Sequence, residues 1–99
     1  MYNISTTPSF EWDPKKDVAN QHKHGISFRE GCSVFWDEYA RELYDPDHSQ
    51  DEDRFVLVGV SHRAHVLFVC YCLRQDSIRI FSVRKADKEE EKEYWRLRQ

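Results

Sequence analysis

The chain has 99 residues, 39% of them apolar and 33% charged, with a formal net charge of −3. That length and mixture suit one soluble domain over residues 1–99 and exclude a disordered chain. No apolar run approaches the roughly 20 residues that cross a bilayer, and the start MYNISTTPSF lacks the basic and apolar regions of a secretory signal, so the cytoplasm is the expected location, without a membrane partner.

Phe10-Glu11-Trp12 reads as a short first strand. Asp13 is a favourable N-cap, Pro14 stands at the first helical position, and Gly25 supplies a left-handed stop after His24. The helix between them carries Lys16, Asn20 and Lys23 on one stripe, with His24 at its C-terminal edge. Val18, Ala19 and His22 occupy another sector, toward the expected sheet. Two readings of the stripe stand side by side: a solvated helix face, or a rim turned toward phosphate. Lysine would give that rim charge, asparagine hydrogen bonds, and histidine a proton near neutral pH. Ser27 and Glu30, at capping-box spacing, open a second short helix toward Trp36, weakened by Gly31.

A strand is expected over residues 40–44, followed by the polar loop DPDHSQDED. From Asp37 to Asp53 there are eight acids and one arginine, a local charge of −7 that leaves +4 for the rest of the chain. That acidic stretch repels phosphate; it could orient a basic partner or be a solvated loop. Three β-rich runs come next, RFVLVGV (54–60), HVLFVCYCL (65–73) and IRIFSVR (78–84), joined by links short enough for antiparallel hairpins. The tail, from Ala86 to Gln99, reads as a helix with Asp87 and Glu90 at capping-box spacing. The order β-α-α-β-β-β-β-α describes an α+β domain: an antiparallel meander with two N-terminal helices and a C-terminal helix on one face.

With two four-residue links, one sheet face carries Arg54, Val56, Val58, His65, Leu67, Val69, Tyr71, Ile80, Ser82 and Arg84. The other carries Phe55, Leu57, Phe68, Cys70, Cys72, Phe81 and Val83, with Arg79 near its edge, and is the drier face expected beneath the helices. An odd link would shift a strand's parity and regroup these residues. Arginines at strand ends often only solvate an edge, but several around one face with His and Tyr nearby also suit phosphate, which the guanidinium fork binds through two hydrogen bonds. No metal site is expected. His22 and His24 point about 200° apart on a helix, and Cys70-Tyr71-Cys72 lacks zinc-knuckle spacing. Cys32, Cys70 and Cys72 are read as reduced thiols.

Taken as a series, Phe10-Glu11-Trp12-Asp13, Lys16, Asn20, Lys23-His24-Gly25-Ile26 and Phe28 resemble the opening of BrnT-type toxins. Arg54 with Gly59, Tyr71 with Arg74, the run Ile78 to Ala86, and Glu90 with Tyr94 are similar to later elements of that family, in the same order. Gly31, Cys32, Cys72 and Glu91-Lys92 depart from its usual pattern. The resemblance implies a RelE-like fold and a ribonuclease that blocks translation. It also implies a BrnA-type DNA-binding antitoxin, with operator DNA reached only through the toxin–antitoxin complex. On that basis the chain would cut RNA without metal or cofactor, by attack of the ribose 2′-OH on the adjacent phosphate. His24 is the first candidate for proton transfer, with Tyr71 or Tyr94 behind it. Arg54, Arg74 and Arg84 would stabilise the developing charge, and Lys23 would orient the phosphate. A non-catalytic module that pairs with an antitoxin and regulates the operon is the alternative.

Overall fold

The computed structural model describes residues 8–98. The first seven residues, which entered the expectation of no leader, lie outside the described residues, as does Gln99 of the expected tail helix. The elements are β1 (Ser9–Glu11), α1 (Pro14–His24), α2 (Phe28–Cys32), β2 (Arg41–Tyr44), β3 (Arg54–Val60), β4 (Val66–Arg74), β5 (Ser77–Lys85) and α3 (Lys88–Arg98). Ser33–Trp36 and Pro46–His48 form single 3₁₀ turns. No described helix is long and apolar enough to cross a membrane.

The local punctuation works as the residues dictate. The Asp13 carboxylate accepts from the Lys15 amide at 2.9 Å, and Pro14 begins α1. Gly25 ends it at φ 72°, a conformation that costs glycine least. Ser27 caps α2 by accepting from Glu30 N at 3.1 Å. That second helix lasts only five residues before tightening into the 3₁₀ turn, rather than running on to Trp36. Asp87 and Glu90 exchange reciprocal bonds of 2.8 and 2.9 Å at the start of α3.

The sheet runs in the order β1-β5-β4-β3-β2. It is mixed rather than purely antiparallel, because β1 pairs in parallel with β5 through Ser9–Glu11 and Ser77–Arg79. Beyond β1 the outer edge of β5 is taken over by α1. The Asn20 side-chain amide donates to Val83 O at 2.8 Å and its carbonyl accepts from Val83 N at 3.1 Å. Asn20 is buried, so one of the three polar residues on the opening stripe is structural.

Two local irregularities decide which side chains share a face. Val60 pairs with Val66, so the link is five residues, Ser61 to His65, instead of four. This flips β4: Leu67, Val69 and Tyr71 enter the core, while Phe68 and Cys70 turn to the opposite face. A bulge then separates the pairs Cys70–Ser82 and Tyr71–Ile80, leaving Phe81 as the extra residue. Ile80 joins the core, and Phe81 lies on the opposite face beside Ser82 and Arg84. The grouping expected from even links is thus corrected for β4 and for the start of β5, whereas Arg54, Val56, Val58, Ser82 and Arg84 do share a face.

The main core joins Ile26, Phe28, Val34 and Phe35 to Leu57, Leu67, Val69, Tyr71, Ile78, Ile80 and Val83. Gly59 lets the 3₁₀ turn approach β3: a Cβ there would stand 2.8 Å from Val34 Cγ1 and 2.9 Å from Asp37 Oδ2. A smaller cluster on the other face holds Val58, Val66 and Tyr94. The helices therefore do not all cover one face: α2 packs on the main core, α1 lies along the edge of β5, and α3 sits on the opposite face with Tyr94 its one buried residue.

Candidate active site

Because the bulge and the five-residue link turn Phe68, Cys70, Phe81 and Ser82 outward with Val56 and Arg84, the face opposite the main core is partly polar. A cleft of about 320 Å³ opens there, lined by His24, Tyr44, Asp45, Cys70, Ser82 and Arg84, with Leu43, Val56 and Phe68 as its apolar floor. His24 reaches it from the last residue of α1, a position set by Gly25 and by the clasp of Asn20 on β5. Arg84 reaches it from β5, its guanidinium 4.2 Å from the centre of the Phe68 ring.

Arg84 is not idle. Its two terminal nitrogens donate to both carboxylate oxygens of Glu90, at 2.8 and 3.0 Å. That pairing raises the Arg84 pKa and holds the Glu90 carboxyl below its usual range. Glu90 thus caps α3 and ties it to the cleft at once.

Arg54 lies at the start of β3, its guanidinium 3.9 Å from the centre of the Phe81 ring. Its Nε is buried without a hydrogen-bond partner among the described residues. Lys16 reaches the same ring, at 5.7 Å. Neither Lys16 nor Phe81 stood among the site residues expected from sequence, although Lys16 was part of the α1 stripe. Phe81 carried no signal, since its outward aim depends on the bulge.

The remaining expected residues are placed elsewhere. Lys23 is exposed on α1 and does not line the cleft. Arg74, at the far end of β4, is held by Glu52 through bonds of 2.8 and 3.3 Å. The Tyr94 hydroxyl is buried and donates to the Asp37 carboxylate, which also accepts from Val60 N at 2.8 Å. Burial first, and then the hydrogen bond to Asp37 and its charge, push the Tyr94 pKa well up, which fits a structural strut better than a proton carrier. Tyr94 lines a separate apolar cavity of about 300 Å³ beneath α3, which meets the cleft at Leu43 and Phe68. Tyr71 is likewise buried and donates its hydroxyl to Glu42.

What the cleft can do chemically follows from its contents. It offers an imidazole, a guanidinium, the Ser82 and Tyr44 hydroxyls and the Asp45 carboxylate along an apolar floor, while Lys16 and Arg54 gather about Phe81, the residue before Ser82. This is a set for binding an anion and moving a proton near it.

Comparison with known proteins bears on this geometry. The model of the family described as ribonuclease toxin, BrnT, of type II toxin–antitoxin system matches residues 12–90. No curated protein matches the sequence. Among solved structures, that of the Brucella abortus ribonuclease toxin, BrnT, superposes with a TM-score of 0.64 at 20% identity, covering 83% of this chain and 100% of that one. At that identity the likeness is one of fold.

Proposed function

Because the chain belongs to the BrnT family of ribonuclease toxins of type II toxin–antitoxin systems, we propose that its cleft cuts RNA by attack of a ribose 2′-OH on the adjacent phosphate, with charge stabilisation supplied by the protein's own cations. The observation that carries this reading is the meeting of His24 and Arg84 in one cleft. His24 takes the 2′-OH proton or gives one to the leaving 5′ oxygen, and water serves the other transfer. Arg84 meets the phosphorane charge once Glu90 yields it, and Arg54 adds a fixed charge nearby. Lys23, outside the cleft, attracts the RNA at longer range. The reaction needs no metal on this reading, the fold is of RelE type, and the outcome in the cytoplasm is a block of translation.

The antitoxin partner that the family implies is, on this reading, a BrnA-type DNA-binding protein, and operator DNA is reached only through the complex. The acidic stretch from Asp37 to Asp53 suits a basic partner segment, because β2 is the exposed edge of the sheet and Leu43 and Tyr44 lie open on it.

Incubating the purified protein with RNA in EDTA tests the proposal. Fragments ending in 2′,3′-cyclic phosphate support it, and activity lost with EDTA but restored by a divalent cation overturns the metal-free step. Intact RNA under every condition, with tight antitoxin binding, favours the second reading, a non-catalytic pairing module. The observation on that side is that Arg84 and Arg74 are already neutralised by Glu90 and Glu52.

A further inference from the structure

Of the four arginines on β3, β4 and β5, three are held by carboxylates: Arg74 by Glu52, Arg79 by Glu11 and Arg84 by Glu90. Arg54 alone is not. Glu52, the acid two residues before it, accepts nothing from Arg54 and binds Arg74 instead, at 2.8 and 3.3 Å. Arg54 instead lies on the Phe81 ring, and Lys16 approaches the same ring from α1. Two cations are therefore gathered about one aromatic side chain with no carboxylate bonded to either among the described residues. Neither charge is neutralised by an ion pair there, so both are available to an anion that reaches the Phe81 ring.

We propose that Lys16, Arg54 and Phe81 form a second phosphate subsite, which binds a backbone phosphate of single-stranded RNA a nucleotide or two from the one held in the cleft. The inference rests on the nuclease reading for the identity of the nucleic acid, and adds where the rest of the strand lies. Lys16 stands eight residues before His24 on α1, about two helical turns or ~12 Å along the axis. That offset is too long for both groups to serve the same phosphate and suits one a nucleotide or two along the strand. Phe81 acts as the platform: its ring keeps the Arg54 guanidinium flat, with Nε buried and the terminal nitrogens left to bind. A strand bound this way runs from the end of α1 back along β5 toward the start of β3.

The test uses a non-cleavable 2′-O-methyl hexaribonucleotide and, as a ligand with a single phosphate, a 2′-O-methyl dinucleoside monophosphate. Lys16→Ala changes an exposed residue and leaves the fold intact. It is expected to weaken hexamer binding about fivefold to tenfold and to lower the salt slope by about 0.7, while binding of the dinucleoside changes less than twofold. Phe81→Leu is expected to weaken hexamer binding in the same sense. Lys92→Ala, in an exposed lysine on α3, serves as the control and changes neither. Equal losses for Lys16→Ala and Lys92→Ala, a Lys16→Ala affinity within twofold of the parent, or no hexamer binding by the parent protein overturns the subsite. Cleavage of unmodified RNA is followed in parallel. Cutting that persists with Lys16-independent affinity overturns the subsite and leaves the nuclease reading standing. Lys16-dependent binding without any cutting does the reverse.

Discussion

Asn20 of α1 and Val83 of β5 hold each other through two hydrogen bonds, so that one side chain does for the sheet edge what a sixth strand would do. The same amide also donates to Ile26 O at 2.9 Å, fixing the turn that follows the helix. Replacing Asn20 by alanine leaves buried backbone groups without partners, each costing about 1–3 kcal/mol. Asn20→Ala is therefore expected to lower the urea midpoint strongly, and cleavage falls with it because His24 loses its bearing. Unchanged stability would show that water satisfies those groups.

Arg84 and Glu90 make the next case. If Arg84 meets transition-state charge, Arg84→Ala costs about 2–4 kcal/mol, or roughly 30-fold to 1000-fold in kcat/KM. A loss below threefold removes it from the site. Glu90→Gln keeps the cap geometry but discharges the partner, and RNA affinity at low salt is expected to rise.

Tyr94 separates strut from catalyst. Tyr94→Phe removes the bond to Asp37 and is expected to cost about 1–3 kcal/mol of stability, since the acceptor is charged. The pH profile of cleavage should keep its shape. Loss of one limb of that profile would place the Tyr94 hydroxyl in the chemistry.

Glu30 predicts the acid side of the stability curve. It is buried beneath the β3–β4 link, where the Ser61 hydroxyl donates to it at 2.6 Å and His65 Nδ1 lies 2.7 Å away. Burial alone would raise its pKa; the Ser61 and His65 contacts, helped by the Arg63 charge, outweigh that and bring it below 4.5. A carboxyl lowered on folding contributes stability above its unfolded pKa and loses it as pH falls through the folded one. The stability gap between the parent and Glu30→Gln is thus expected to be full above pH 4.5 and to shrink below it. Equal acid limbs in urea titrations would show that another group governs them.

Much of this was legible in the residues. The caps Asp13, Ser27 and Asp87, the stop at Gly25 and all three meander strands stand within a residue or so of where local chemistry puts them. What was not legible is a matter of parity. Counting alternation across the Ser61–His65 link needs the length of the turn, and Val60 pairing with Val66 rather than His65 inverts every side chain of β4. Ile80 and Phe81 differ for a related reason, because a bulge leaves no compositional mark in an apolar run. The polar stripe on α1 divided for a third reason: Asn20 reads as surface until a bare strand edge needs it.

At the site, His24 and Arg84 were legible and do share a cleft, whereas Lys16 with Phe81 was not assembled from sequence. Charge pairing was also hidden. Glu52 and Glu90 lie 22 and six residues from the arginines they hold, and only the fold shows which cations are already spoken for.

The bulge at Phe81 has one more consequence. Two successive side chains, Phe81 and Ser82, lean outward where an ordinary strand would allow one. Removing Phe81 altogether would restore strict alternation with Ile80 still inward and Arg84 still outward. The sheet can therefore be edited at this single point, trading an aromatic perch for a plain ladder while every other neighbour keeps its orientation.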